Sequence, residues 1–168
     1  SVIDDSEMHI TNVIRGEDHL ANTAKQVLLF KAIKKNPPSF THVSMILGKD
    51  KSKLSKRHGA ESIKKYKDLG YLPIAIVNYL ARLGWSHGDQ ELFSMDEMMN
   101  LFSLENLNKS PAIFDKDKLD WVNSSHIKKL SSKELEKILD ISFYKDIDVE
   151  MAINTTKEKA KTLLELKE

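Results

Sequence analysis

Two short polar runs carry residue types that could do chemistry together. The first is Arg15-Gly16-Glu17-Asp18-His19, a planar cation, two adjacent carboxylates and an imidazole. The second is Lys49 to Arg57, KDKSKLSKR, with five basic side chains, one acid and an apolar Leu54. Lys supplies a mobile point charge with three donors, and Arg a rigid fork that grips a carboxylate or phosphate through parallel bonds. The pair therefore suits an anionic ligand: a polyphosphate at the lysines and a small carboxylate at Arg15. Each run also has a plainer explanation. Lys49–Arg57 reads as a solvated charge run, and Arg15 as half of an ion pair with Glu17 or Asp18. Glu17 and Asp18 could serve acid–base work or Mg²⁺, but capping the positive end of the following helix is the preferred reading. His19 could stack on or bond to a nucleotide, though a lone histidine at a helix start is more often structural.

The elements that must position these runs favour a shared site. Ile10–Ile14 is rich in β-branched residues and predicts a buried strand. Leu20–Ile33 follows as a helix with a stripe at Leu20, Ala24, Val27, Leu28 and Phe30, stopped by Asn36-Pro37-Pro38. Phe40–Leu47 predicts a second strand, and Gly48 opens the basic loop. Strand, helix and strand in this span describe a βαβ unit of a parallel sheet. Ligands of open α/β sheets bind outside the carboxyl ends of the strands. Arg15–His19 lies at one such end and the basic loop past the next, so the two runs should face one site.

Beyond the loop the pattern is helical. Ser62–Leu69 is a short helix ended by Gly70, and Pro73 begins another with a core stripe of Ile74, Val77, Leu80 and Ala81. Trp85–Asp89 is a turn, and Trp85, Trp121 and the Met-rich segment from Met95 to Met99 read as core. Ser94 with Glu97, Ser131 with Glu134 and Thr155 with Glu158 have capping-box spacing, and Asp115 suits the N-cap of a helix holding Leu119 and Trp121. The fold class is thus α/β followed by all-α. A boundary falls near Gly48 and a weaker one near Leu130.

Composition bounds the alternatives. The 168 residues are 40% hydrophobic and 30% charged with a formal net charge of +1, so any nucleic-acid contact must come from local patches. Cysteine is absent, which removes disulfides, thiolate catalysis and Cys-ligated zinc. No apolar run approaches the roughly 20 residues that span a bilayer, there is no signal-peptide pattern, and a cytoplasmic protein without membrane contact is expected. The histidines lack HExxH spacing, so no metal ligands are expected; GxGxxG, GxxxxGK[ST] and GxSxG do not occur, so a nucleotide site cannot rest on those common phosphate loops. The first residue is Ser1 and the last residues continue a helical pattern, which suggests a piece of a larger protein.

Several long segments resemble bacterial glutamyl-tRNA synthetase, a class I aminoacyl-tRNA synthetase, in that family's order. They are VIDDSEMHITNVIRGEDHLANTAKQVLLF, FTHVSMILGKDKSKLSKRHGA, GYLPIAIVNYLARLGW and FSLENLNKSPAIFDKDKLDWVN, from Val2 to Val122, with a weaker likeness to the end. By this resemblance KLSKR matches the KMSKS signature. Lys56 would bind ATP phosphates and stabilise the adenylate-forming transition state, Lys53 would assist it, and Ser55 would order the loop. Arg15 would hold the substrate glutamate's carboxylate. Asp18, His19 and Leu54 would line the ATP pocket, with Met45 and Ile46 meeting adenine through their backbone, and Lys51 and Arg57 would touch tRNA. Residues 1–48 would be the second half of a Rossmann-like catalytic sheet, 49–130 a helical stem-contact fold with the signature loop, and 131–168 the start of the anticodon-binding helices. ATP with Mg²⁺, L-glutamate and tRNA-Glu are the implied cofactors and partners, and a monomer the implied state. The family's HIGH motif does not occur in these residues, so the chain alone is expected not to charge tRNA. A non-catalytic tRNA-binding module and a glutamyl-queuosine or glutaminyl relative are the alternatives.

Overall fold

The computed structural model describes residues 1–55, 61–141 and 148–167. A short helix α1 (Val2–Glu7) precedes strand β1 (Asn12–Gly16), a 3-10 turn (Glu17–His19), helix α2 (Leu20–Ala32) and strand β2 (Ser39–Val43). β1 and β2 are parallel, in a register running from Asn12 opposite Ser39 to Gly16 opposite Val43. The expected βαβ unit is therefore present, with its first strand two residues later than the composition suggested. Ile10 is not free to pair, because its amide closes α1 by donating to the Asp5 carbonyl at 2.9 Å. The strand is also less buried than its residues imply: Ile14 is half exposed.

The second expected strand is two. β2 ends at Val43, where its partner turns away into the 3-10 turn, and the chain finds a new neighbour. Ile46–Leu47 forms β3, parallel to β4 (Ala112–Ile113) in a separate two-stranded sheet. Ser44 fixes the crossing by donating its hydroxyl to the Asn108 carbonyl at 2.7 Å. In α2 only Phe30 is buried; Leu20, Leu28 and Leu29 are exposed, since the described neighbours cover one side of the helix only.

The remaining elements are α3 (Ile63–Asp68), α4 (Pro73–Gly84), α5 (Met95–Leu101), α6 (Lys116–Lys129), α7 (Ser132–Leu139), α8 (Val149–Thr156) and α9 (Leu163–Lys167). Pro73 sits in the first turn of α4, where its missing N–H costs nothing. The buried face of α4 is Leu72, Ala75, Ile76, Tyr79 and Leu83, while Val77 and Leu80 are exposed. The predicted stripe was thus rotated: Tyr79 is among the core residues and Leu80 is not, because α4 packs on α6 through the former. Leu119, Val122 and Ile127 of α6, Leu135 and Leu139 of α7, Ile153 of α8 and Leu166 of α9 complete one core. Ile46 and Leu54 pack against it, so the core spans both boundaries read from the sequence.

A smaller cluster joins Trp85, Phe93 and Met98. Trp121 does not belong to either core; it is 44% exposed, with the Lys118 ammonium 4.1 Å above its ring. Met95 and Met99 are exposed as well. The caps at Ser94, Asp115 and Ser131 form as read. Thr155 does not cap: it lies inside α8, bonds back to the Met151 carbonyl at 2.8 Å, and the N-cap is Asp148. Among the described residues no helix is long and apolar enough to cross a membrane.

Candidate active site

The site begins where β1 stops. Past Gly16 the chain enters the 3-10 turn, and the Asp18 carboxylate folds back over Gly16. A Cβ at position 16 would stand only 2.6 Å from Asp18 Oδ1. So held, Asp18 Oδ2 accepts from Lys53 Nζ at 2.7 Å. That bond is the main reason the Asp18 carboxyl is held below its usual range, with the Lys53 charge and His19 adding to it. The two polar runs thus meet. Glu17 does not cap α2 either: its Oε1 accepts from the Met45 amide at 3.0 Å. Both acids serve tertiary contacts across the chain, which overturns the capping preference.

The basic loop is built on a tight hairpin. The Gly48 amide donates to the Ser52 carbonyl and the Lys51 amide to the Gly48 carbonyl, each at 2.9 Å, with Lys51 in the left-handed region at φ 61°. Asp50, the acid of the run, accepts from the Ser52 amide and hydroxyl at 2.9 and 2.8 Å. Lys53 pairs with Leu47 in an antiparallel bridge, and the Leu54 amide donates to the Ile46 carbonyl at 3.0 Å. Leu54 anchors the hairpin in the core while Lys53 remains exposed. Ser55 follows, half-buried. Lys56 and Arg57 lie outside the described residues.

Arg15 is engaged differently from the ion-pair reading. Its Nη2 donates to Thr23 Oγ1 and to Gln26 Oε1, each at 2.6 Å, and its guanidinium lies 5.2 Å from the Phe40 ring centroid. It forms no ion pair with Glu17 or Asp18, and its Nε–H is shielded from solvent with no partner among the described residues. Thr23 also meets His42 Nε2 at 2.9 Å, so His42 is a satisfied strand histidine. Thr23 and Gln26 are one turn apart on α2, a spacing that could have revealed them. The His19 ring makes a long contact to Asn22, at 3.4 Å, and its carbonyl accepts from Thr23 Oγ1 at 3.3 Å. Met45 precedes β3 and Ile46 opens it; the Met45 carbonyl accepts from the Ala112 amide at 3.2 Å and the Ile46 carbonyl from the Leu54 amide at 3.0 Å. Asp18, Lys53 and Met45 are therefore gathered through the 3-10 turn, whereas the Arg15 guanidinium is held from α2.

A model of the family described as tRNA synthetases class I (E and Q), catalytic domain, matches residues 1–121. The chain belongs to this family. Among its synthetase relatives, glutamate–tRNA ligase 2 of Campylobacter fetus subsp. fetus is 50% identical over 99% of this chain and 37% of its own length. Glutamate–tRNA ligase 1 of Syntrophus aciditrophicus is 49% identical with the same coverage. The crystal structure of a glutamate tRNA ligase from Elizabethkingia meningosepticum, in complex with its amino acid, superposes with a TM-score of 0.85 at 35% identity. It covers 98% of this chain and 38% of that one. The chain thus spans rather more than a third of the length of the class I synthetases it matches. The α/β unit followed by helices is that synthetase fold.

Proposed function

We propose that the chain is the part of a glutamate–tRNA ligase that brings the signature loop to the amino-acid site. The single observation that supports this best is the Lys53–Asp18 contact, which joins the loop to the end of β1. Glutamate and ATP are the substrates: a glutamate carboxylate oxygen attacks the α-phosphorus, pyrophosphate leaves, and the glutamyl-adenylate then acylates tRNA-Glu. Arg15 holds the substrate carboxylate through its guanidinium, which Thr23 and Gln26 orient from α2. Lys53 and Lys56 follow the charge that grows on the phosphates, stabilising the transition state by preorganised electrostatics, with Ser55 ordering the loop. Asp18, His19, Leu54, Met45 and Ile46 border the nucleotide. Lys51 and Arg57 touch the tRNA.

Among the described residues no group of three or more His, Cys, Asp or Glu could hold a metal. Mg²⁺ would come with the triphosphate, whose charge it neutralises. Residues 1–48 belong to the nucleotide-binding sheet, 49–130 to the stem-contact fold and 131–168 to the anticodon-binding helices, with one core tying the three together. The intact protein acts as a cytoplasmic monomer.

The test is glutamate-dependent ATP–pyrophosphate exchange by the protein carrying this chain together with the rest of its relatives' length. Lys53→Ala and Lys56→Ala should each lower exchange by roughly a hundredfold or more while tRNA affinity is kept. Loss of tRNA binding with exchange intact would instead establish an RNA-binding role for the loop. The 168 residues alone, without a HIGH motif, should give no exchange.

A further inference from the structure

Glu17 has no role in the reading above, yet its side chain makes a contact 28 residues away. Its Oε1 accepts from the Met45 N–H at 3.0 Å, while the next residue, Asp18, takes Lys53 Nζ at 2.7 Å. Met45 and Lys53 are the two feet of one hairpin, closed by the Leu54 amide on the Ile46 carbonyl at 3.0 Å and by the Leu47–Lys53 bridge. Adjacent carboxylates on one 3-10 turn therefore hold both legs of the hairpin that carries the basic loop.

We infer that Glu17 and Asp18 form a two-point clasp in which Glu17 is a positioning residue, setting where the basic loop stands relative to the end of β1. One attachment would leave the hairpin free to pivot about it; two attachments on different legs fix its angle. Each bond is solvent-accessible and weak alone. A small misplacement of a charged group against a reacting phosphate nevertheless costs far more in rate than in stability. Gly16 belongs to the same device, since the space its missing side chain leaves is where Asp18 Oδ1 rests. The kinetic consequence rests on the proposed ligase reading; the clasp itself stands on the geometry.

The two carboxylates differ in what they need. Glu17 accepts from a neutral amide, so a side-chain amide oxygen would serve. Asp18 faces an ammonium, so its charge matters. Amide hydrogen exchange of the chain, read by NMR, tests the clasp directly. Glu17→Ala should speed exchange at Met45 about tenfold, and Glu17→Gln should leave it within about twofold. An unchanged Met45 amide in Glu17→Ala would overturn the clasp.

Steady-state exchange kinetics on the protein carrying this chain test the positioning role. Glu17→Ala should lower kcat/KM for ATP about tenfold with the KM for glutamate and the Tm unchanged, and Glu17→Gln should restore it. Gly16→Ala, whose methyl displaces a flexible carboxylate and not backbone, should give the same ATP-specific loss. Equal impairment by Gln and Ala, or parallel loss for ATP and glutamate, would overturn the role. If the unsubstituted protein shows no pyrophosphate exchange with tRNA-Glu present, the ligase reading fails, and the Met45 amide still decides the clasp.

Discussion

Lys53 and Asp18, 35 residues apart in sequence, share a 2.7 Å ion pair that spans the ends of two structural units. Asp18 belongs to the turn after β1, and Lys53 to a hairpin anchored in the helical core. Through this pair the α/β unit and the helices meet at the candidate site.

The pair has a titration signature. Asp18 is depressed in the folded protein chiefly by the Lys53 hydrogen bond. Its contribution is therefore complete above the ordinary aspartate value of about 3.9 and is lost as pH falls through the lower folded value. Carbon-detected NMR titration of Lys53→Ala should show the Asp18 carboxyl rising toward that ordinary value. An unmoved Asp18 would mean the ion pair does not persist in solution.

His126 predicts a pH dependence of the core. It is buried, with Nε2 2.9 Å from Asn78 Oδ1, an oxygen that also accepts from the Phe93 amide. Since that oxygen only accepts, Nε2 carries the proton in the neutral ring. Burial first, and the Lys129 charge second, lower its pKa from 6.5. The folded state thus resists protonation while the unfolded state takes it up. Stability should be level above about pH 7 and fall below about pH 6.5 by up to about 1.4 kcal/mol per pH unit, until the folded value is passed. Urea denaturation across this range should show the slope, and His126→Gln should flatten it.

Asn123 is fully buried and ties two distant backbone segments. Its Oδ1 accepts from the Leu72 amide at 2.8 Å, at the start of α4, and its Nδ2 donates to the Lys161 carbonyl at 2.6 Å. Asn123→Ala leaves both backbone groups unpaired in the interior and should cost about 2–4 kcal/mol. The measurement is the urea midpoint, with an unchanged m value showing that the native state is kept.

Gly70 should not tolerate a side chain. Its φ is +80°, and an added Cβ would lie 2.7 Å from the Leu164 amide nitrogen and 2.9 Å from that of Leu163. The Gly70 carbonyl also accepts from Leu163 at 2.9 Å. Backbone cannot swing aside as a side chain can, so Gly70→Ala should cost roughly 2–3 kcal/mol and lower the Tm, whereas Gly84→Ala, with open space around it, should not clash.

Local signals in the sequence were sufficient for the βαβ unit, the caps at Ser94, Asp115 and Ser131, the helix break at Gly70 and the two charged runs. Each depends on residues within a turn or two of one another, where backbone sterics and capping chemistry act directly. The places of the two runs after successive strands likewise predict that they face each other, as Lys53 and Asp18 do. Tertiary structure alone decided the rest. β3 left β2 because β1 ended, and its new partner at Ala112–Ile113 is more than sixty residues away. The buried face of α4 was set by α6, so Tyr79 replaced Leu80 in the core although both fit an apolar stripe. Trp121 was left outside with Lys118 over its ring. Asn78, Asn123 and His126 are invisible as core residues by composition, because polar groups are buried only where distant backbone or side chains satisfy them. Arg15 turned to Thr23 and Gln26, and Glu17 to Met45, for the same reason: a charged side chain takes the partner that folding brings within reach, and sequence distance does not measure that reach.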